Sequence, residues 1–259
     1  MANSDLMTLE RQEQIVSLVN QLGRVTVAEL TERFSVSEAT IRRDLAALAE
    51  SNLIRRAYGG AIQANKVQTS ESPIVQRQSL YSAEKERIGA ATAELIQDGE
   101  TLLVVGGSTG LAVVNHLTDH QNLTIITDSL LVANEILHHN KHQVILLGGS
   151  IDPNEQAVRG TLARQTLDQL YVDKVILGAK AVSVTRGICC ETPEEAEFFR
   201  ACLKRGNHVI LVTDSSKFHL SALVQMTPLR AVHTLVTDKN LSADLVEQVQ
   251  NLEIDLLLV

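Results

Sequence analysis

Between residues 101 and 258, seven short apolar runs recur, and most of the gaps between them carry helical spacing. The runs occupy residues 101–105, 123–127, 144–147, 175–177, 208–213, 233–236 and 254–258. Helical patterns fall at 111–117, 129–138, 162–170 and 243–252. Strand-like runs that are apolar throughout have no wet face, so they must be covered on both sides. Alternation of this kind predicts an α/β fold with a mostly parallel sheet and helices on both faces. The longest apolar runs fall far short of the roughly 18 residues that a membrane helix needs. The first residues lack a basic-then-apolar segment, which predicts a cytoplasmic chain.

A different pattern occupies the N-terminal quarter. Ile15, Leu18, Val19 and Leu22 make one helical stripe, with Gly23 as its stop. Thr26-Val27-Ala28-Glu29 is a capping box, whose two side chains satisfy free backbone N–H groups at a helix start. That second helix runs to about Phe34, and Ser37 is positioned to cap a third, in which Ile41, Leu45 and Leu48 form the buried stripe. At 100° per residue, Arg43 then points almost directly away from the core and Arg42 lies on the flank. Arg55-Arg56-Ala57-Tyr58-Gly59-Gly60-Ala61-Ile62 reads as two short strands with a glycine turn, a small wing. The expected organisation is a winged helix-turn-helix over residues 8–63, a polar linker over 64–81 and an α/β domain over 82–259.

Charge bears on the partner. The 259 residues carry a formal net charge of −8, which opposes a polyanionic ligand if it is evenly spread. Residues 1–66, however, hold 8 Lys+Arg and 8 Asp+Glu, so the whole excess lies downstream. A winged helix-turn-helix places its recognition helix in the major groove of double-stranded DNA. There Arg42 and Arg43 can read base edges, Ser37 and Thr40 can bond backbone oxygens, and Arg55, Arg56 and Tyr58 can flank them on the wing. The alternative is that these arginines merely form solvated ion pairs with Asp44, Glu38 or Glu50. With four Phe, three Tyr and no Trp, the chain has too few aromatic platforms for stacking single-stranded bases.

In the second domain, Gly106-Gly107-Ser108-Thr109-Gly110 follows a strand and opens a helix. Free N–H groups and the positive end of the helix dipole suit a phosphate there, although any tight strand-to-helix turn favours the same residues. Further strand-end loops carry Thr127-Asp128-Ser129, Gly148-Gly149 and Asp214-Ser215-Ser216-Lys217. Ligands collect at the carboxyl ends of parallel strands, so these loops are expected to converge, with Lys217 as a cation for the phosphate. Cys189, Cys190 and Cys202 match no zinc or redox spacing and read as reduced thiols. No metal site and no cofactor motif is expected.

Arg11, Leu22-Gly23, Val27-Ala28-Glu29-Leu30, Phe34-Ser35-Val36-Ser37, Thr40-Ile41-Arg42-Arg43-Asp44-Leu45 and the run from Arg55 through Gly59-Gly60-Ala61 together resemble the N-terminal domain of DeoR-type bacterial transcriptional regulators. The rest resembles that family's sensor domain through Gly107-Ser108-Thr109, Thr127-Asp128-Ser129, Gly148-Gly149, Gly160, Asp173, Gly178 and Asp214-Ser215-Ser216-Lys217-Phe218. The resemblance implies a sensor fold similar to ribose-5-phosphate isomerase and a repressor of carbohydrate genes released by a phosphorylated sugar. A homo-oligomer is expected, because one such unit covers only a half-site. Three positions depart from the family pattern: Val105 replaces an acid, Asp128 an Asn, and Phe199 a Lys, with Arg200 beside it as a substitute. One account is that the pocket carboxylate has moved from 105 to 128. The competing reading is a phosphosugar isomerase with an appended DNA-binding domain, for which Asp128, Glu191 and Asp214 are the candidate acids.

Overall fold

A computed structural model describes residues 2–22, 24–51, 53–57, 59–63, 72–139 and 141–259. The chain divides into two compact units, Met1–Lys66 and Val67–Val259. The first runs α1 (Ala2–Leu22), β1 (Arg24–Thr26), α2 (Val27–Phe34), α3 (Glu38–Glu50), β2 (Ile54–Ala57) and β3 (Gly60–Gln63). Local chemistry sets the helix starts. Thr26 Oγ1 accepts the Glu29 amide N–H at 3.2 Å while Glu29 Oε2 accepts that of Thr26 at 2.7 Å, the reciprocal capping box. Ser37 Oγ accepts the Thr40 amide N–H at 3.2 Å. Ile15, Val19, Leu30, Ile41, Leu45 and Leu48 close the core between the three helices.

One strand of this unit left no trace in the sequence pattern. β1 pairs with β3, giving the order β1-β3-β2, so the wing is a three-stranded sheet. Gly60 permits the approach, since a Cβ there would lie 2.0 Å from the Val25 carbonyl oxygen. The expected helix stop at Gly23 and the wing residue Tyr58 lie outside the described residues, as does the side chain of Arg55.

The second unit opens with α4 (Ile74–Ser79) and α5 (Ser82–Ala93). The stretch read as linker thus contributes a helix: Ile74 is fully buried, and its N–H donates to the Asn154 carbonyl at 2.8 Å. There follow β4 (Thr101–Val104), α6 (Ser108–Asn115), β5 (Thr124–Thr127), α7 (Leu130–His139), β6 (Gln143–Leu146), β7 (Ser150–Asp152), β8 (Ala157–Arg159), α8 (Thr161–Leu167) and β9 (Val172–Leu177). The last stretch holds β10 (Ala181–Ser183), β11 (Gly187–Cys190), α9 (Pro193–Leu203), β12 (Gly206–Val212), a 3-10 turn (Ser215–His219), β13 (Val224–Thr227), β14 (Thr234–Thr237), α10 (Ala243–Gln250) and β15 (Asp255–Leu258).

All seven apolar runs join one parallel sheet in the order β15-β14-β12-β9-β4-β5-β6. Its two faces bury alternate residues of each strand. Leu102 and Val104 pack with Ile88, Val113 and Val132 on one side. Leu103 and Val105 pack with Leu177, Phe198 and Leu235 on the other. The chain steps outward from β4 to β6, then returns to lay β9 along β4's other side and proceeds to β15. Strand order therefore reverses between β4 and β9, and the diverging connections leave a crevice at their carboxyl ends. A small antiparallel sheet, β10-β11-β13, and the hairpin β7-β8 complete the unit. Among the described residues, no helix is long and apolar enough to cross a membrane.

Candidate functional site

On α3 the stripe of Ile41, Leu45 and Leu48 is buried, and Ala39, Arg42 and Arg43 are exposed. Asp44 is 3% exposed, turned inward between the helices. Its Oδ2 accepts Arg11 Nε–H at 2.6 Å, and its Oδ1 accepts from Arg11 Nη2 at 3.3 Å and Gln12 Nε2 at 3.1 Å. Asp44 thus ties α3 to α1 and is not the partner of its neighbouring arginines. Arg42 pairs with Glu38 at 3.2 Å, both side chains more than half exposed, an interaction worth at most about 1 kcal/mol and readily exchanged for a phosphate. Arg43 has no ion pair among the described residues. Ser37 and Thr40 share a hydroxyl hydrogen bond of 2.9 Å beside them. Arg56 is exposed on β2 of the wing.

The crevice between β4 and β9 holds the second site. It is lined by Arg77, Gly106, Gly107, Ser108, Thr109 and Glu155, then by Arg159, Gly178, Ala179, Lys180 and Glu195, with Cys190, Phe199, Lys217 and Met226 completing the wall. Of the residues expected from the sequence, Gly106 through Thr109 and Lys217 meet here. α6 begins in this loop with Gly107 at its N-cap, φ 148° and ψ 154°, and no side chain caps it. Its first N–H groups have no partner within the helix, which makes the loop receptive to an anion. Gly110 is buried inside α6, where its missing side chain lets the helix lie close to the Val105 carbonyl.

The other predicted residues support this loop from behind. Thr127 Oγ1 donates to the Val104 carbonyl at 2.7 Å and accepts the Ser129 N–H at 3.0 Å, both residues being fully buried. Asp128, 1% exposed, accepts the Gly106 N–H on Oδ1 at 2.7 Å and pairs through Oδ2 with Arg159 Nη1. It offers the crevice no free carboxylate, so the idea that it substitutes for an acid at position 105 fails. Gly148 and Gly149 do not line the crevice. Gly149 instead starts the β7-β8 hairpin, where a Cβ would lie 2.5 Å from the Arg159 carbonyl oxygen. Asp214 caps the turn that carries Lys217, its Oδ1 accepting the Ser216 N–H at 3.2 Å. Asp238 holds the same turn from below through the Ser215 N–H at 2.6 Å.

Arg77, Glu155, Arg159, Lys180 and Glu195 escaped the sequence reading. Arg77, Glu155 and Arg159 are lone charges without a motif; Lys180 carried a signal, following a strand end through Gly178-Ala179, and Glu195 is the acid of the helix start Thr192-Pro193-Glu194-Glu195. Arg77 pairs with Glu155, and Lys180 bridges Glu191 at 3.4 Å and Glu195 at 3.3 Å. Burial by itself would depress the Arg159 guanidinium's pKa, but the charge and hydrogen bond of Asp128, reinforced by Glu195 and Glu155, outweigh it and raise the pKa. Phe199 lines the crevice, but Arg200 is no stand-in for the family's Lys: its Nε and Nη2 donate to the Met226 and Gln225 carbonyls at 2.8 and 2.6 Å. All three cysteines are free and buried. Burial, then the charge of Glu195, pushes the Cys190 thiol up to about 12, so it stays protonated and non-nucleophilic.

Of the candidate acids for isomerisation, Asp128 is paired with Arg159 and Glu191 with Lys180, while Asp214 caps a turn through Oδ1 and its Oδ2 is buried without a hydrogen-bond partner among the described residues.

Two family models match the chain. Residues 11–67 match the DeoR-like helix-turn-helix domain and residues 81–239 the DeoR C terminal sensor domain. The transcriptional repressor AccR of Agrobacterium fabrum is 37% identical over 89% of this chain and 90% of its own. The glycerol-3-phosphate regulon repressor of Escherichia coli K12 is 37% identical over 88% and 90%. Among solved structures, a ribose 5-phosphate isomerase A from Methanocaldococcus jannaschii aligns with 51% of this chain and 52% of its own, at 16% identity and a TM-score of 0.37. The chain belongs to the DeoR family: it is a DNA-binding transcriptional regulator with a C-terminal sensor domain, and the two relatives named above are transcriptional repressors.

Proposed function

We propose that this regulator represses genes of carbohydrate uptake or catabolism in the cytoplasm and is released from its operator by a phosphorylated sugar or related metabolite. The observation that carries the sensing half is the uncapped start of α6, opening at the point where strand order reverses. Gly106, Gly107, Ser108 and Thr109 cradle the phosphate and Lys217 adds charge. Asp128, Thr127 and Ser129 hold the loop in shape. A relative named for a glycerol-3-phosphate regulon supports a small phosphomonoester as the effector class. Arg77 stands on α4, the first described helix of the sensor in sequence, so a ligand in the crevice touches that helix. Preference of the ligand for one arrangement of the subunits in a homo-oligomer then shifts the population that fits DNA.

On the DNA side, residues 8–63 act as the reading domain, with 64–81 as the connection to a sensor over 82–259. Arg43 reads a base edge, Arg42 exchanges Glu38 for the duplex, and Ser37, Thr40, Arg55, Arg56 and Tyr58 hold the backbone. Binding to the DNA upstream of its own gene, measured across a salt series, tests this. Arg43→Ala is expected to cost about 1–3 kcal/mol and relax sequence preference. Arg56→Ala is expected to weaken all duplexes alike and to lower the salt slope by about one. Equal losses on specific and random DNA for Arg43→Ala would remove it from base reading.

A further inference from the structure

Beside the loop crevice lies a second cleft, bounded by Asp152, Gly160, Thr161 and Arg164 on one side and by Glu191, Thr192 and Glu194 on the other. Four residues line both: Glu155, Arg159, Lys180 and Glu195. Arg159 has unusual freedom among them. Its Nη1 serves Asp128 and the Val158 carbonyl, and its guanidinium lies over the Phe198 ring at 5.5 Å. Nε and Nη2 make no hydrogen bond to any described residue. These two atoms form the side-on edge of the guanidinium, a fixed pair of parallel donors.

Charge around that edge decides what it can take. Arg159 is already paired with a carboxylate, and Glu155 and Glu195 share its lining. Arg77 and Lys180 are likewise matched to Glu155 and to Glu191 and Glu195. A second anionic group arriving here finds three carboxylates and little uncompensated positive charge. Two adjacent hydroxyls fare better: each accepts from the Arg159 edge and donates to a carboxylate, so donors and acceptors are both satisfied. We propose that Arg159, held by Asp128, is a specificity-determining residue that reads vicinal hydroxyls on the effector. It thereby selects a polyhydroxylated phosphomonoester over a phosphorylated acid.

This rests on the loop being a phosphate site, and the two ideas separate in one calorimetric series on the full-length protein. The probes are inorganic phosphate, propyl phosphate, glycerol 3-phosphate and 3-phosphoglycerate, with ribose 5-phosphate against 2-deoxyribose 5-phosphate. Expected is a gain of about tenfold for each vicinal-diol ligand over its diol-free partner, and weaker binding of the acid than of glycerol 3-phosphate. Arg159→Gln should abolish the diol gain, read as the ratio of each vicinal-diol ligand to its diol-free partner, whatever change it makes to the affinity for inorganic phosphate itself. Because that variant strands a buried Asp128, the double variant Asp128→Asn/Arg159→Gln, which leaves a neutral amide pair, is read beside it. The proposal is overturned if the acid binds as well as the diol, if no organic ligand exceeds phosphate, or if the diol gain survives the double variant. Failure of wild type to bind inorganic phosphate would overturn the phosphate site itself, and Arg159's role with it.

Discussion

Asp44→Ala is expected to unfold the DNA-binding unit while leaving the sensor intact. Asp44 is the one buried carboxylate on α3, and it receives three hydrogen bonds from Arg11 and Gln12 of α1. Removing it leaves Arg11, whose side chain is 14% exposed, as an uncompensated charge in the helix interface. Breaking a buried pair in this way costs about 3–5 kcal/mol. A unit of this size holds only roughly 3–10 kcal/mol in total. The substitution therefore consumes much of what keeps it folded. Asp44→Asn, which keeps the shape and part of the hydrogen bonding, should cost less. Amide hydrogen exchange resolved along the chain is the measurement: residues 25–51 should lose protection and those of the parallel sheet should not. Unchanged protection in α2 and α3 would show that the Arg11–Asp44 pair is dispensable.

Gly107→Ala is expected to give a regulator that binds its operator and no longer lets go. Gly107 sits at φ 148° and ψ 154°, a region closed to side chains, although nothing lies within 4 Å of a Cβ placed there. The obstacle is thus backbone strain, about 1–3 kcal/mol, and no clash contributes. The loop relieves that strain by rotating, which swings the α6 N–H groups out of the phosphate position. Effector affinity should fall by about 10- to 100-fold, with operator affinity in the absence of effector unchanged. Fluorescence anisotropy of labelled operator, titrated with a releasing sugar phosphate, reads both quantities. Release at the wild-type concentration would show that the loop's geometry is not what binds.

Legibility in the sequence followed the range of the interactions concerned. The helix caps at Thr26 and Ser37 and the buried stripe of α3 depend on residues three or four apart, and all were readable. So were the seven sheet strands, because apolar runs between turns leave few alternatives. β1, with three residues, and α5, whose buried side includes Gly89, Thr92 and Ala93, carry too little contrast between polar and apolar to stand out. Residues 74–79 are polar enough to pass for linker, and the docking of Ile74 on Asn154 and of Arg77 on Glu155 makes them part of the sensor. The crevice shows the same division. Its glycine loop is contiguous and was visible, whereas Arg77, Arg159 and Lys180 gain meaning only from carboxylates distant in sequence or packing on another element. Asp128 was noticed, but its direction was misjudged, since nothing local reveals that Arg159 waits behind it.

The strand order has a consequence for how the protein is made. Contacts in the first unit join segments that leave the ribosome close together, and such units fold quickly. β4, by contrast, lies in the middle of its sheet and is incomplete until β9, Val172–Leu177, has been synthesised. Domains fold in the order they emerge. A half-translated chain therefore carries a finished DNA-reading unit attached to a sensor that does not yet exist, so any half-site contact it makes in that interval lies outside the effector's control.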